Sequence, residues 1–124
     1  MHEPLKILVL GFDPGLRRTF AALLAHQGYE VIQATTIPEA LESLRFGWID
    51  LLLVDFTVRE SARQQVIAEA ARRRVRALAL DPDGTGMRIT HPHAIAVSTD
   101  SPRAFLVAVE EALRSNTERI ILRR

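Results

Sequence analysis

Five short apolar runs recur along the chain: KILVL (6–10), EVIQA (30–34), DLLLVDF (50–56), ALAL (77–80) and AIAV (94–97). Continuous apolar runs of this length suit strands covered on both faces, as in a parallel sheet. Most of the intervals between them carry helical spacing. Asp13-Pro14 reads as an N-cap and first helical residue, Leu16, Phe20, Leu23 and Leu24 share one face, and Gly28 marks the stop. Thr36-Ile37-Pro38-Glu39 has capping-box spacing, with Ala40, Leu41 and Leu44 turned inward and Gly47 as the end. Residues 60–74 predict a third helix with a thin stripe of Val66, Ile67 and Ala70. Ser101-Pro102 opens a last helix carrying Phe105, Leu106, Val109 and Leu113. The alternation of runs and helices predicts an α/β fold, a doubly wound parallel sheet of five strands. One interval breaks the rhythm. DPDGTGMRITHPH, residues 81–93, holds Pro82, Gly84, Gly86 and Pro92, so the helix expected there is short or absent.

Composition narrows the function classes. A chain of 124 residues is one domain with room for a core. It has no cysteine, which removes disulfides and thiolate chemistry. No apolar run approaches a membrane span, and MHEPLK lacks the apolar segment of a signal peptide, so the expected location is cytoplasmic. Net charge is +1, too small for a strong general field. The cationic residues are one lysine, Lys6, and fifteen arginines, which matters for the chemistry below.

The order KILVL..DPGLRR, GYEVIQA, EALESL, DLLLVDF, ALALD, AIAVST and SPRAFLVAVEEAL resembles the receiver domain of bacterial two-component response regulators. The resemblance covers roughly residues 5–114. It makes 1–114 a receiver-like domain and 115–124 a C-terminal tail or linker. That tail, SNTERIILRR, extends the last helix, docks, or leads into a further domain; all three readings stay open. The resemblance implies a flavodoxin-like sheet in the order 2-1-3-4-5 and, in active members, phosphorylation of an aspartate at the end of the third strand.

Carried over position by position, Asp55 matches the phospho-acceptor. Gly11 and Phe12 match the acidic pair that holds Mg²⁺, and Asp13 the variable residue after it. Asp81 falls where the family has a switch Ser or Thr, Ser98 where it has a lysine, Thr99 where it has a cis proline, and Arg59 where it has a loop proline. Phosphoryl transfer depends on neutralising the transferred group. Glycine offers Mg²⁺ no ligand, phenylalanine puts an apolar ring at the cation's place, and Lys6 is no substitute for the missing lysine. The resemblance therefore implies a degenerate pseudo-receiver that keeps the fold without the reaction. It is not expected to be an enzyme, and Asp55 is a vestigial acceptor.

The expected function is signal transduction by protein–protein contact, through the last helix, the tail and residues 81–93. The partner implied is a histidine kinase or an output domain, and a homodimer stays open. Two other readings remain: residual, partner-driven phosphorylation of Asp55, and a small-ligand sensor using the vacated pocket beside Phe12. No cofactor and no metal are expected. Asp13, Asp55 and Asp81 are a weak metal cluster, because Asp13 and Asp81 precede proline and read as cap or turn residues. His91 and His93 read as a solvated loop, and Gly84-Thr85-Gly86 lacks P-loop spacing. Arg72, Arg73, Arg74 and Arg76, with Arg119, Arg123 and Arg124, read as a solvated face rather than a nucleic-acid contact. Phe46 and Trp48 flank a turn and are expected to pack.

Overall fold

A computed structural model describes residues 4–81, 94–98 and 102–122, with side chains over 4–80 and 102–114. The expected helix shortening within 82–93 and the position of Thr99 lie outside the described residues. The elements are β1 (Lys6–Leu10), α1 (Pro14–His26), β2 (Glu30–Ala34), α2 (Ile37–Phe46), β3 (Leu51–Val54), α3 (Glu60–Arg72), β4 (Arg76–Asp81), β5 (Ala94–Ser98) and α4 (Pro102–Leu122). All strand pairs are parallel, in the order β2-β1-β3-β4-β5.

Two apolar layers explain why the strands read as unbroken apolar runs. Alternate residues of a strand face opposite sides of the sheet. Leu8, Leu10, Leu52 and Val54 pack on one side with Ala40 and Leu44 of α2 and Val66, Ile67 and Ala70 of α3. Ile7, Val9, Leu51, Leu53, Leu78 and Leu80 pack on the other with Phe20 and Leu24 of α1 and Phe105, Val109 and Leu113 of α4. Fully burying each such side chain contributes roughly 1.5–3 kcal/mol, and both faces do so.

Helix ends follow the expected chemistry with two shifts. Asp13 Oδ1 accepts from the Leu16 N–H at 3.0 Å. Thr36 Oγ1 accepts from the Glu39 N–H at 3.2 Å, while the Glu39 carboxylate returns to the Thr35 N–H at 3.1 Å, one residue earlier than in the usual box. The third helix stops at Arg72, not 74, because Arg74 takes the left-handed conformation (φ 61°) and turns the chain into β4. The last helix continues through Leu122, so the tail begins as an extension of that helix, one of its three readings.

Candidate functional site

Parallel pairing sets the site at the carboxyl edge of the sheet, where ligands of open α/β folds gather. Leu10 and Val54 are register partners, so the next residues, Gly11 and Asp55, leave β1 and β3 side by side. The Asp55 N–H donates to the Leu10 carbonyl at 3.1 Å, fixing that step. On the neighbouring strands Asp81 and Ser98 are themselves register partners. The sheet thus brings Gly11, Asp55, Asp81 and Ser98 to one edge. The side chains of Asp81 and Ser98 lie outside the described residues.

Asp55 is fully buried. Its Oδ1 accepts from the Thr57 N–H at 2.8 Å and from the Thr57 hydroxyl. Thr57 Oγ1 in turn accepts from the Phe12 N–H at 2.9 Å, so one hydroxyl ties the β1 and β3 loops together. Oδ2 has no hydrogen-bond partner. It lies where position 11 would carry a side chain: a Cβ on Gly11 would stand 2.0 Å from Asp55 Oδ2. The carboxyl group has folded into the space that glycine leaves. Below it, the buried Arg17 guanidinium donates to the Gly11 carbonyl at 3.0 Å and to Gln33 Oε1 at 3.1 Å.

Burial raises the Asp55 carboxyl above the ordinary aspartate value, and the Thr57 hydrogen bonds oppose that rise. The nearby Asp13 charge adds to it, and the Arg17 guanidinium opposes it. An ionised Asp55 is therefore held by one residue on one oxygen, with its other oxygen desolvated and unpaired.

These donors do not make a Mg²⁺ site. The ion takes near-octahedral oxygen ligands. Gly11 supplies none, Asp55 Oδ1 is committed to Thr57, Oδ2 is packed against Gly11, and Asp13 Oδ1 caps α1. Among the described residues no three His, Asp or Glu side chains converge to hold a metal ion.

Two residues of the site escape a sequence-only reading. Thr57 follows the acid by two, a spacing that signals an Asx-type turn. Arg17 sits one turn into α1 among surface arginines, and no local pattern marks it as buried. Phe12 corrects an expectation: it is 42% exposed rather than packed in the vacated pocket, because Asp55 already fills that space.

A second correction concerns the opposite edge. Arg72 and Arg73 are exposed, as expected, and are also paired. They donate to the buried Glu69 carboxylate at 3.1 Å each, and Arg45 of α2 joins them at 3.4 Å. These bonds hold Glu69 below the ordinary glutamate value, that of Arg73 contributing most. Phe46 and Trp48, expected to pack, are 76% and 89% exposed.

No family model matches the chain. A stretch of 68 residues, 55% of the chain, is 32% identical to Transcriptional regulatory protein GlrR of Escherichia coli (strain K12) and covers 15% of that protein. The chain is thus far shorter than the curated relatives it resembles. Among solved structures, the response regulator receiver domain protein (CheY-like) from Methanospirillum hungatei JF-1 superposes with a TM-score of 0.73 at 18% identity, over 94% of this chain and 99% of that one. The N-terminal domain of a response regulator/sensory box/GGDEF 3-domain protein from Carboxydothermus hydrogenoformans gives 0.78 at 21% identity, over 93% and 98%. The fold is that of response regulator receiver domains. No helix among the described residues is long and apolar enough to cross a membrane.

Proposed function

We propose that this domain is a pseudo-receiver: a two-component signalling module that acts by protein–protein contact, without Mg²⁺-dependent phosphorylation of Asp55. The observation that carries the reading is the placement of the Asp55 carboxyl. A phospho-acceptor must offer a free carboxylate oxygen to an incoming phosphoryl group in line. Here Oδ1 is bonded to Thr57 and Oδ2 stands against Gly11, and among the described residues the nearby Arg17 guanidinium is directed to the Gly11 carbonyl and Gln33 rather than to the carboxyl. The likeness to receiver domains supports a place among kinases and output domains, and the partner is a protein of that class.

The test is treatment with acetyl phosphate and, separately, beryllofluoride in millimolar Mg²⁺. Intact mass and backbone amide shifts around Asp55 are followed. The expected outcome is an unchanged mass and no saturable shifts. A phosphoryl adduct on Asp55, abolished by Asp55→Asn, would overturn the reading in favour of a residually active receiver.

A further inference from the structure

The edge of the sheet remote from Asp55 carries features that the pseudo-receiver reading does not use. Helices α2 and α3 both end there, at the entries to the adjacent strands β3 and β4, where Leu51 and Arg76 are register partners. Each helix is followed by a residue in the left-handed conformation, Trp48 (φ 54°) after α2 and Arg74 (φ 61°) after α3. These are the two non-glycine residues with positive φ among the described residues. Glycine is the usual occupant of this position, since a Cβ is disfavoured there. A large side chain held in that conformation and pointing into solvent adds nothing to folding, and such departures cluster at functional positions.

Their surroundings give the chemistry. Trp48 and Phe46 are the two most exposed large apolar side chains described, at 89% and 76%. Arg45, Arg72 and Arg73 share the one buried Glu69 carboxylate, and the exposed Arg74 adds a fourth cation, so positive charge is in excess. Of the other acids near this edge, Glu30 pairs with the Lys6 ammonium, and the Asp50 carboxylate accepts from the Lys6 backbone N–H. Glu42 lies with Phe46 along the hollow between α2 and β2. The excess of positive charge is thus carried by the exposed Arg72, Arg73 and Arg74 at the end of α3. Tryptophan, phenylalanine and arginine together are the composition of protein-binding hot spots.

We propose that this edge, with Trp48 and Arg74 standing out from the ends of α2 and α3 beside Phe46, Arg45, Arg72 and Arg73, is a docking surface for an acidic protein segment carrying apolar anchors. The apolar anchors cover the Trp48 and Phe46 rings, and the acidic groups meet the guanidinium cluster. The surface rests on the reading that the domain works by contact, but it does not depend on the state of Asp55. A protein segment fits better than nucleic acid because the exposed rings offer more apolar surface than a phosphate backbone uses, and the charge excess is local rather than spread along a groove.

Trp48 is the chain's single tryptophan and reports on its own surface. The intact chain is titrated with a short labelled peptide of alternating acidic and Leu/Phe residues, with poly-glutamate of equal charge, and with a short single-stranded DNA. Trp48 emission and label anisotropy are read together. The expected result is a saturable blue shift with the acidic–apolar peptide, and binding weaker by about tenfold or more with the other two. Trp48→Gly and Arg74→Gly should each weaken peptide anisotropy by about tenfold while the melting temperature is unchanged or raised. Trp48→Phe should retain most of the binding. Equal or tighter binding of DNA, equal binding of poly-glutamate, no saturable response to the peptide, or unchanged affinity in both glycine variants would each overturn the proposal. The acetyl phosphate experiment is read by mass, so a failed titration beside an unmodified Asp55 removes this surface alone and leaves the pseudo-receiver reading intact.

Discussion

The two edges of one parallel sheet are built in opposite ways. At the carboxyl edge the polar groups turn inward. Asp55 is buried, bonded to Thr57 and folded against Gly11, and Arg17 is spent on the Gly11 carbonyl. At the amino edge one acid, Glu69, is buried while the arginines that hold it and the Trp48 ring face solvent. The edge that the fold ordinarily reserves for chemistry is closed on itself, and the edge ordinarily left as a base is exposed and charged. A shared architecture therefore does not say which edge works; the side chains do.

The largest effect that would break this contrast is a side chain at position 11. Gly11→Ala sets a methyl on Asp55 Oδ2, and the carboxyl must move. Overpacking of this kind costs about 1–3 kcal/mol, and Gly11→Asp, which adds a second charge, costs more. Urea unfolding measures both. In a double-mutant cycle, Asp55→Ala should recover most of the Gly11→Ala loss; additive losses would show that the two positions do not share the space.

The amino edge is next. Glu69→Gln removes a buried charge held by Arg73, Arg45 and Arg72 and should cost about 1–3 kcal/mol at neutral pH. Because the folded protein holds Glu69 below its ordinary value, its contribution is present above that value and fades as pH falls through the lowered one. The variant and the parent should therefore converge in acid. A constant gap across the pH range would mean that packing, not charge, explains the loss.

Asp55 has the opposite sign. Its carboxyl is raised by burial, so the fold favours the protonated form. The stability this gives is present below the ordinary aspartate value and is lost as pH rises through the raised one. Asp55→Asn should thus stabilise the domain at neutral pH, and the gain should vanish in acid. Burial is the first cause of this rise and the Asp13 charge adds to it, while the side chain of Asp81 lies outside the described residues. Partner binding should be unchanged in this variant, and its loss with the fold intact would assign a role to the ionised carboxyl.

The smallest effects come from exposed rings. Phe12→Asp should cost about 1 kcal/mol, since the residue is only 42% exposed and gives up the cover of the rest. Trp48→Gly relieves the left-handed position and should raise stability by up to about 1 kcal/mol. A clear fall in thermal stability for Trp48→Gly, or a loss well beyond this for Phe12→Asp, would place the ring in the fold's own packing.

What the sequence determined by itself is local. Apolar runs of strand length with helical stretches between them set the doubly wound sheet, and Asp13, Thr36 and Gly47 set helix ends through short-range hydrogen bonding and backbone conformation. Asp55 at the exit of the third strand and the loss of acids at Gly11 and Phe12 were equally legible, because they are matters of residue type and order. What only the tertiary structure decided is where side chains go once distant segments meet. Nothing local says that the Asp55 carboxyl turns into the space at Gly11, forty-four positions away in the chain, or that Thr57 ties it to the Phe12 backbone. Arg72 and Arg73 reach Glu69 at helical spacing along α3, which is local; only the packing of α2 on α3 brings Arg45 to the same carboxylate. Phe46 and Trp48 read as packed residues by polarity alone, yet Phe46 closes the last turn of α2 and Trp48 follows it, and both are exposed there. Hydrophobic periodicity fixes which side of an element is buried, but burial at an element's end depends on whether another element reaches that far.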